Sequence, residues 1–394
     1  MNGEDLLFDY ATEVLSFNFK DAGDSVSPSP PEDVQRLAAR CRTAFERSGK
    51  RHLALLGLGS GAVAAALAET LPPGALIVCE QDLTLVRGVL AAGCLGWWQR
   101  GGASRLALDA SPWALLLLLD RVGVRLGDCF VLPNPELAPV EKAPLKPLEL
   151  LLSRSVLMEA PCCLPAPHLS VAAILSPSEP DLPGFFAQLP LWLHELVLVW
   201  DATALPPVTV PDSITVWQTA RPLGRDFSAQ RNAMLSACSG DWVLYLDADE
   251  RLSAEAWASL PLLCADPVVA GWHFPRVTPY PTQDKALVGF GLWPDVQLRL
   301  FRRSEELRFI NPVHERLTGI AGPQALALDL EIEHQNRLGR DEDAIRQKLA
   351  GFDEAGAGRV RPTLSAEYPS MPRTLLASHR VGLPRGLLLP PEFA

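Results

Sequence analysis

Short apolar runs that stop at an acidic residue are the feature that most constrains how this chain folds. Residues 195–200 (ELVLVW) run into Asp201, and residues 241–246 (DWVLYL) run into Asp247-Ala248-Asp249-Glu250. Apolar runs of this length are typical of strands that are buried on both faces of a parallel sheet. Stretches with helical spacing lie between them. The sequence therefore predicts an α/β fold with a mostly parallel sheet.

Capping residues, glycines and prolines indicate where the helices and strands around these runs begin and end. We expect further strands at 169–175 and 214–218, and helices at 181–193 and 228–239. Ser228 is placed to cap the N-terminus of the second helix, and Gly240 stands where a glycine often ends one. Residues 132–148 contain many prolines, so we expect no regular element there and a short helix after it.

The N-terminal third carries a separate strand-turn-helix signature. A helix is expected at 31–48 and a strand at 52–58, which runs into Gly57-Leu58-Gly59-Ser60-Gly61. A helix at 62–70 and a strand at 75–79, ending at Glu80, complete a Rossmann-like unit. Gly57 and Gly59 would let an anion approach the backbone, and Glu80 stands where an acid could hold a ribose. These three residues are candidate cofactor-binding residues.

Composition narrows the classes of function. The formal net charge is −11, which disfavours a nucleic-acid partner and attachment to anionic lipid through a basic face. No apolar stretch reaches the ~20 residues that a membrane span needs. The eight cysteines form no C-x-x-C pair and the N-terminus has no leader pattern, so we expect a cytoplasmic protein with reduced thiols.

The acidic tripeptide Asp247-Ala248-Asp249 follows a strand, and ligands of open parallel sheets bind beyond that end of the strands. Residues i and i+2 of an extended segment point to the same side, so both carboxylates can face one ligand. Carboxylates there suit a divalent metal that carries a diphosphate. A solvated acidic turn is the alternative for such a tripeptide taken alone.

Several further blocks occur in order around this tripeptide. Residues 225–232 read RDFSAQRN, 239–250 read SGDWVLYLDADE, 297–302 read QLRLFR and 311–317 read NPVHERL. Together they resemble glycosyltransferase family 2, and most of all its bacterial branch of lipopolysaccharide-core and peptide-glycosylating enzymes. The resemblance covers about residues 168–350. His334 falls where that branch has a further histidine after a strand.

The resemblance implies a GT-A fold and an inverting transfer of a sugar from a nucleoside-diphosphate donor with Mg²⁺ or Mn²⁺. By position, Asp201 would contact the nucleoside, and Arg231 and Asn232 would lie near the nucleotide. Asp247 would contact ribose or metal, Asp249 would bind the metal, and His314 would be a later metal or diphosphate ligand. A structural ion pair of Arg231 with Asp226 or Asp247, and a structural His314, remain the alternatives.

An inverting transfer also needs a base to take the proton of the acceptor. Glu315, Asp295 and Glu250 are the candidates, in that order, and each has a structural alternative. Trp272 and Trp293 could stack on a sugar or a base, although tryptophans in apolar stretches are more often core residues.

Two departures from the family pattern matter. Ser178-Glu179 replaces the usual Asn-Glu after the first strand, and the turn after Asp201 lacks a second acid. A degenerate transferase that acts as a scaffold is therefore a second hypothesis. The glycine loop is weakly similar to S-adenosylmethionine-dependent methyltransferases and to flagellin-glycosylation accessory proteins. We rank an accessory domain first, a nucleotide or S-adenosylmethionine binder second and an active methyltransferase third.

The expected partners are a nucleotide-sugar and a glycan, lipid-linked or peptide acceptor, with no nucleic acid and no transmembrane segment. We expect a cytoplasmic location, with contact to the inner face of the membrane for a lipid-linked acceptor. The predicted organisation is an N-terminal segment and linker at 1–30, a Rossmann-like accessory domain at 31–132, a Pro-rich linker at 133–167, a GT-A domain at 168–350 and a C-terminal tail at 351–394.

Overall fold

The structure is a computed structural model of the 394-residue chain. It describes residues 5–17, 32–161, 167–224, 226–312, 315–338, 368–378, 380 and 382–393. The chain forms two compact units, each built from discontinuous segments. Unit 1 comprises Met1–Ser155, Tyr280–Asp295 and Ser365–Ser378, and unit 2 comprises Val156–Pro279, Val296–Leu364 and His379–Ala394. The domain boundaries given above as continuous segments remain predictions.

The α-helices of the described ranges are α1 (Leu6–Ser16), α2 (Val34–Ser48), α3 (Ala62–Thr70), α4 (Leu83–Ala91), α5 (Pro112–Arg121), α6 (Pro139–Lys142), α7 (Lys146–Arg154), α8 (Leu182–Ala187), α9 (Phe227–Ala237), α10 (Ala254–Cys264) and α11 (Arg373–Leu376). Short 3₁₀ turns lie at Leu126–Asp128, Ala143–Leu145 and Pro391–Phe393. None of the helices in these ranges is both long and apolar enough to cross a bilayer.

The strands are β1 (His52–Leu56), β2 (Leu76–Glu80), β3 (Arg105–Leu108), β4 (Cys129–Pro133), β5 (Val156–Glu159), β6 (Leu169–Leu175), β7 (Glu195–Trp200), β8 (Val216–Ala220), β9 (Trp242–Tyr245), β10 (Glu250–Arg251), β11 (Gly271–Val277), β12 (Lys285–Leu287), β13 (Asp295–Arg302), β14 (Arg308–Ile310), β15 (Arg316–Thr318), β16 (Gln324–Ala327), β17 (Ile332–His334), β18 (Ser370–Pro372) and β19 (Arg385–Leu388).

Unit 1 is built on a four-stranded parallel sheet in the order β3-β2-β1-β4. The central strand β1 pairs with β2 on one edge and β4 on the other, and its residues 53–56 are fully buried, as is usual in parallel sheets. The order and the β1-loop-α3-β2 path match the first half of a Rossmann fold. Outside the sheet, β12 and β18 form an antiparallel ribbon in the same unit.

The proline-rich stretch of unit 1 corrects one prediction. Residues 132–148 were expected to lack regular structure, but they include α6, a 3₁₀ turn and the first residues of α7. Each of these begins with a proline in its first turn. The amide N–H that proline lacks has no partner there in any helix, and the fixed φ of proline suits helix entry. Prolines therefore start these helices instead of preventing them.

Unit 2 contains a mixed eleven-stranded sheet, with the path β5-β19-β16-β11-β13-β9-β6-β7-β8 and the additional strands β10 and β17. The half made of β9, β6, β7 and β8 is parallel. Side chains of β6 alternate between two cores: Leu169, Val171 and Ala173 pack in one cluster, and Ala172 packs in the other. Because both faces are covered, these strands are apolar throughout, as the sequence indicated.

Two helix predictions in unit 2 were wrong in detail. The helix expected at 181–193 ends at Ala187, since Pro190 disfavours the helical conformation of Leu189. Asp226, and not Ser228, caps α9: its Oδ1 accepts the Ala229 N–H at 2.9 Å and the Ser228 hydroxyl at 2.8 Å. Gly240 does not end α9, which stops at Ala237.

The predicted α/β class with parallel strands is confirmed in both units. Trp272 and Trp293, considered above as stacking platforms, are 0% and 1% exposed and belong to the cores of unit 2 and unit 1 respectively. The indole N–H of Trp272 donates to the Leu263 carbonyl at 3.1 Å. Neither ring is available to a ligand in this structure.

Candidate active site

The parallel strands of unit 2 bring several of the predicted residues to one cavity. Asp201 follows β7, and Asp247-Ala248-Asp249 follows β9, so both acidic groups lie at the carboxyl edge of the same parallel half-sheet. The cavity there has a volume of about 550 Å³. Its lining includes Asp201, Arg231, Asp247, Asp249 and Glu315 from the prediction, together with Ile174, Ser176, Glu179, Leu223, Phe227, Ala248, Arg276, His334 and Asn336.

Asp247 is held by arginines. Its Oδ1 accepts from Arg231 Nη2 at 3.1 Å, and its Oδ2 accepts from Arg299 Nη2 at 2.7 Å. Burial alone would raise the pKa of this carboxyl, but Arg299, Arg231 and Arg276 outweigh burial and hold the pKa far below its usual range. Asp247 is therefore a fixed anion, and the ion pair of Arg231 with Asp247 that was considered as an alternative is present.

Glu250 is the structural centre of this ion network. It is completely buried, and its Oε1 accepts from Arg299 at 2.6 Å and from Arg276 at 2.8 Å. Its Oε2 accepts the backbone N–H of Asp247 at 3.0 Å, which fixes the acidic turn. Because both oxygens are engaged away from solvent, Glu250 does not fit the role of base.

Arg299 and Arg276 were not identified from the sequence. Arg299 is 3% exposed, stacks on the Tyr245 ring at 4.4 Å and bridges Asp247 and Glu250. A signal was available in QLRLFR, because an arginine inside an apolar strand requires a buried carboxylate partner. The two acids of the Asp247–Glu250 turn were the partners to look for.

Glu315 meets Arg231 at the cavity wall. Arg231 Nε donates to Glu315 Oε1 at 2.5 Å, and the Glu315 side chain is 15% exposed. Arg231 also lies over the rings of Tyr245 and Phe309, at 4.8 and 5.6 Å. Capping by Asp226 starts α9 just before Arg231 and so fixes its position. One guanidinium therefore reaches both an acid of the D-A-D turn and the leading candidate base.

Asp249 lies beside a histidine. His334 Nε2 is 3.6 Å from Asp249 Oδ1, and both side chains line the cavity. The pairing of β10 with β17 places them together, with Glu250 opposite His334 in the register. The Gln335 N–H also donates to the Asp249 carbonyl at 2.8 Å. The family resemblance points to His334 only by its position after a strand, and in the structure His334 lies beside the acidic turn.

This donor set fits a divalent metal that is shared with a diphosphate. Carboxylate oxygen and imidazole nitrogen are donors that Mn²⁺ accepts, and Mg²⁺ commonly takes one or two carboxylates plus substrate phosphates. Within the described ranges no cluster of three or more His, Cys, Asp or Glu side chains could hold a metal. Asp249 and His334 are the two side chains that would hold such a metal.

Two predicted residues, Asn232 and Asp295, do not line the cavity. Asn232 does not line the cavity: its Nδ2 donates to the Phe309 carbonyl and its Oδ1 accepts the Phe309 N–H, both at 2.8 Å. Its amide is thus engaged in fixing β14 and not a nucleotide. Asp295 begins β13 and is also not among the lining residues. His314 lies outside the described residues.

The glycine loop of unit 1 has the expected backbone. Gly57, Gly59 and Gly61 have φ values of 89°, 59° and 83°, which disfavour any residue with a side chain. Glu80, at the end of β2, is bonded to backbone N–H groups of its own unit. Its Oε2 accepts the Leu58 N–H at 2.6 Å, and its Oε1 accepts the N–H groups of Gln81 and Asp82 at 2.7 and 2.8 Å. A ribose hydroxyl would compete with these bonds, and the cofactor-binding roles expected of Gly57, Gly59 and Glu80 stay predictions.

Comparison with known proteins gives short or distant matches. No family model matches the chain. A curated relative, a TPR repeat-containing protein of Synechococcus elongatus, is 40% identical over 91 residues. That stretch is 23% of this chain and only 20% of the relative, so the chain corresponds to about a fifth of that protein's length.

The solved structures that are similar include a mannosyltransferase of Pyrobaculum calidifontis in complex with GDP-Man and Mn²⁺, with a TM-score of 0.25 and 16% identity over 35% of this chain and 45% of that one. S. aureus TarS (residues 1–349) has a TM-score of 0.27 and 16% identity over 36% of this chain and 50% of its own. GalNAc-T7 with UDP, GalNAc and Mn²⁺ has a TM-score of 0.29 and 10% identity over 51% of this chain and 52% of its own. At these scores the matches carry no weight beside the strand order and the site itself.

Proposed function

We propose that unit 2 is a GT-A glycosyltransferase of the family 2 type, which takes its sugar from a nucleoside-diphosphate donor. The observation that carries the proposal is the meeting of Asp201, Asp249, Arg231 and His334 in one cavity at the carboxyl edge of parallel strands. That edge is where open α/β sheets bind nucleotides. A cavity of about 550 Å³ lies in the range of ordinary ligand pockets.

Asp249 and His334 are the residues that would hold the divalent metal. A metal there would neutralise charge on the diphosphate leaving group. Asp249 lies in the turn just before β10, and His334 is the last residue of β17, so the position of the pair depends on the β10–β17 pairing. We propose Mn²⁺ or Mg²⁺ and leave His314 as a predicted further ligand.

Asp201 is proposed to contact the nucleoside. Its Oδ1 accepts the Leu223 N–H at 2.7 Å, which orients the carboxylate at the cavity wall. Arg231 is the cation proposed for the diphosphate. Because Asp247 and Glu315 already hold this guanidinium in place, it is pre-organised for an anion and needs little rearrangement.

Glu315 is the proposed base. It lines the cavity and pairs with Arg231, and its carboxylate is proposed to accept the proton of an acceptor group as that group attacks the anomeric carbon. One base and direct attack give inversion. The acceptor is proposed to be a glycan, lipid-linked or peptide group, and a cytoplasmic site of action is part of the same proposal.

The test is calorimetric titration of the full chain with UDP and with GDP, with and without Mn²⁺. Asp249→Ala is the test variant, and Asp241→Ala is its matched control. Asp241 precedes the same strand β9 at its other end, and its side chain is 74% exposed. We expect one nucleotide to bind only with Mn²⁺, and to bind equally to wild type and the Asp241 variant but not to the Asp249 variant.

Other outcomes have distinct meanings. Binding that does not need Mn²⁺, and that survives Asp249→Ala, would contradict the metal site while leaving a nucleotide site. Failure of UDP, GDP and the remaining nucleoside diphosphates to bind a folded protein would favour the degenerate scaffold, which the missing acid after Asp201 first suggested.

A further inference from the structure

The carboxyl edge of the unit 1 sheet is the place where a Rossmann-like fold binds its cofactor. Four groups reach this edge, one after each parallel strand: the glycine loop after β1, Glu80 at the end of β2, Asp109 after β3 and Asn134 after β4. Glu80 is already bonded to three backbone N–H groups of its own unit, as described above. The other three groups decide whether the edge can take a ligand.

The segment after β4 fills the glycine loop. Glu136 Oε1 accepts the Ser60 N–H at 2.8 Å, just before α3 begins. A Cβ added to Gly59 would lie 2.8 Å from the Glu136 carboxylate, and one added to Gly57 would lie 2.3 Å from a Leu137 methyl group. The close approach that these glycines permit is thus to the protein's own side chains.

Asn134 locks this segment in place. It is completely buried, and its Nδ2 donates to the carbonyls of Gly57 and Leu58 at 3.1 and 3.2 Å. Its Oδ1 accepts the Glu136 N–H at 3.1 Å. The side chain that follows β4 therefore ties the glycine loop to the residue that fills it.

Asp109 is also satisfied within unit 1. Its Oδ2 accepts the Tyr10 hydroxyl at 2.6 Å, and its Oδ1 accepts the N–H groups of Ser111 and Gly291 at 2.7 and 3.4 Å. The Tyr10 hydroxyl in turn accepts the Gly289 N–H at 3.0 Å. Helix α1 and the 280–295 segment thus cover the end of β3.

We propose that Glu136 is a built-in anion that replaces a cofactor phosphate at the glycine loop, so that unit 1 is a Rossmann-like module that works without a nucleotide or S-adenosylmethionine. A helix N-terminus favours a negative group, and the Glu136 carboxylate supplies it. A phosphate entering the loop would meet this carboxylate, whose Oε2 is buried without a hydrogen-bond partner among the described residues. Two anions would then share one desolvated position.

The neighbouring cavity strengthens this inference. It has a volume of about 590 Å³ and is lined by Gly59, Glu80, Asp82 and Glu141, with Arg87 as the one basic residue of its described lining. Three acids against one base disfavour a phosphate-bearing ligand there. The space beside the loop therefore offers no substitute site for the anion.

The experiment uses the full chain in EDTA with the Asp249→Ala change in every sample, which silences the metal-dependent site proposed for unit 2. Thermal unfolding is followed with S-adenosylmethionine, NAD⁺ and inorganic pyrophosphate for the otherwise unchanged chain and for Glu136→Ala. Glu69→Ala is the matched control, because Glu69 is exposed near the other end of α3. If Glu136→Ala does not fold, Glu136→Gln takes its place.

We expect no shift with any of the three ligands for the chain that keeps Glu136. Glu136→Ala should lower Tm by about 2–8 °C, since the Ser60 N–H loses its acceptor, and the Glu69 control should not. Millimolar pyrophosphate should raise Tm of the Glu136 variant alone. A saturable rise in Tm with any ligand in the chain that keeps Glu136 overturns the proposal. S-adenosylmethionine is the strictest of the three tests, because its ammonium group could donate a hydrogen bond to Glu136 Oε2. An unchanged Tm in Glu136→Ala, or equal pyrophosphate shifts in both chains, also overturns it.

Discussion

The two units place acidic residues at the same topological position and use them in opposite ways. In unit 1, Glu80 and Asp109 accept bonds from protein N–H and O–H groups. In unit 2, Asp201, Asp249 and Glu315 line an open cavity of about 550 Å³, together with Arg231 and His334. Glu80 also lines a cavity, but three backbone N–H groups engage its two oxygens. An acid at the end of a parallel strand therefore indicates a ligand site only if its oxygens are left open to the cavity.

The strand-end acids of the two units differ in the donors that hydrogen-bond to them, and not in residue type. An ionised carboxylate has about four lone-pair sites, so one that accepts two or three backbone N–H groups has few left for a ligand. Arginine partners differ, because a guanidinium has five N–H donors and can hold a carboxylate while it also faces an anion. In unit 2, arginines hold Asp247 and Glu315, whereas in unit 1 backbone N–H groups hold Glu80.

The largest expected effect concerns Glu315 and Asp295, the two residues predicted to be catalytic. Glu315→Gln keeps the shape and a hydrogen-bond acceptor for Arg231 but removes the base, so turnover should fall by about 10²–10⁴-fold. Nucleotide binding should persist. Asp295→Asn is the companion variant and should leave turnover unchanged, because Asp295 does not line the cavity. Initial rates with a nucleotide-sugar, together with titration of the nucleotide, check both variants. Loss of turnover in the Asp295 variant alone would move the base to Asp295.

The second prediction compares how much the free energy of unfolding falls when one strand-end acid of each unit is replaced by alanine. Glu80→Ala leaves three backbone N–H groups of unit 1 without their acceptor and should reduce the free energy of unfolding by about 2–5 kcal/mol. Asp249→Ala removes a partly exposed acid and should cost less than about 1 kcal/mol. Urea unfolding measures both. A larger loss for Asp249 than for Glu80 would reverse the proposed roles of the two acids.

Much of this architecture was readable from the sequence, because apolar runs and glycines report local geometry. The strands 169–175 and 195–200 and the helix 62–70 match β6, β7 and α3 residue for residue. Prolines misled at 132–148, where they open helices instead of preventing them. The prediction that Gly240 ends a helix was wrong. Its real constraint is tertiary: an added Cβ would lie 2.5 Å from the His168 carbonyl oxygen.

The site was readable where neighbours in sequence supply it, and less so where it depends on long-range pairing. Asp201 and Asp249 follow from the strand ends. The placement of His334 beside Asp249 depends on the pairing of β10 with β17, and the role of Glu250 depends on Arg276 and Arg299. For unit 1, the glycine pattern indicated a close approach. The pattern does not tell whether a ligand or Glu136, 77 residues after Gly59, makes that approach.

The third prediction uses the buried acid of unit 1. Burial raises the pKa of Asp109 to about 7, against three hydrogen bonds that lower it. Between pH ~4 and 7 the folded state then holds a proton that the unfolded state has released, so the free energy of unfolding falls as pH rises. From pH 6 to 7.5 the loss should be about 1 kcal/mol. Asp109→Asn should remove this contribution, and Glu69→Gln should keep it. Parallel pH profiles of wild type and the Asp109 variant would contradict the prediction.

The smallest effect addresses the reason for Gly59. Gly59→Ala forces a left-handed φ of 59° on alanine, which costs about 1 kcal/mol in any background. With Glu136 present there is a second cost, because the new methyl group would lie 2.8 Å from its carboxylate. Gly59→Ala should therefore cost about 0.5–1.5 kcal/mol less in the Glu136→Ala background, as urea unfolding of the four chains of a double-mutant cycle would show. Additive costs would mean that Gly59 is not there to admit Glu136, and the two strand-end edges would then be more alike than the structure indicates.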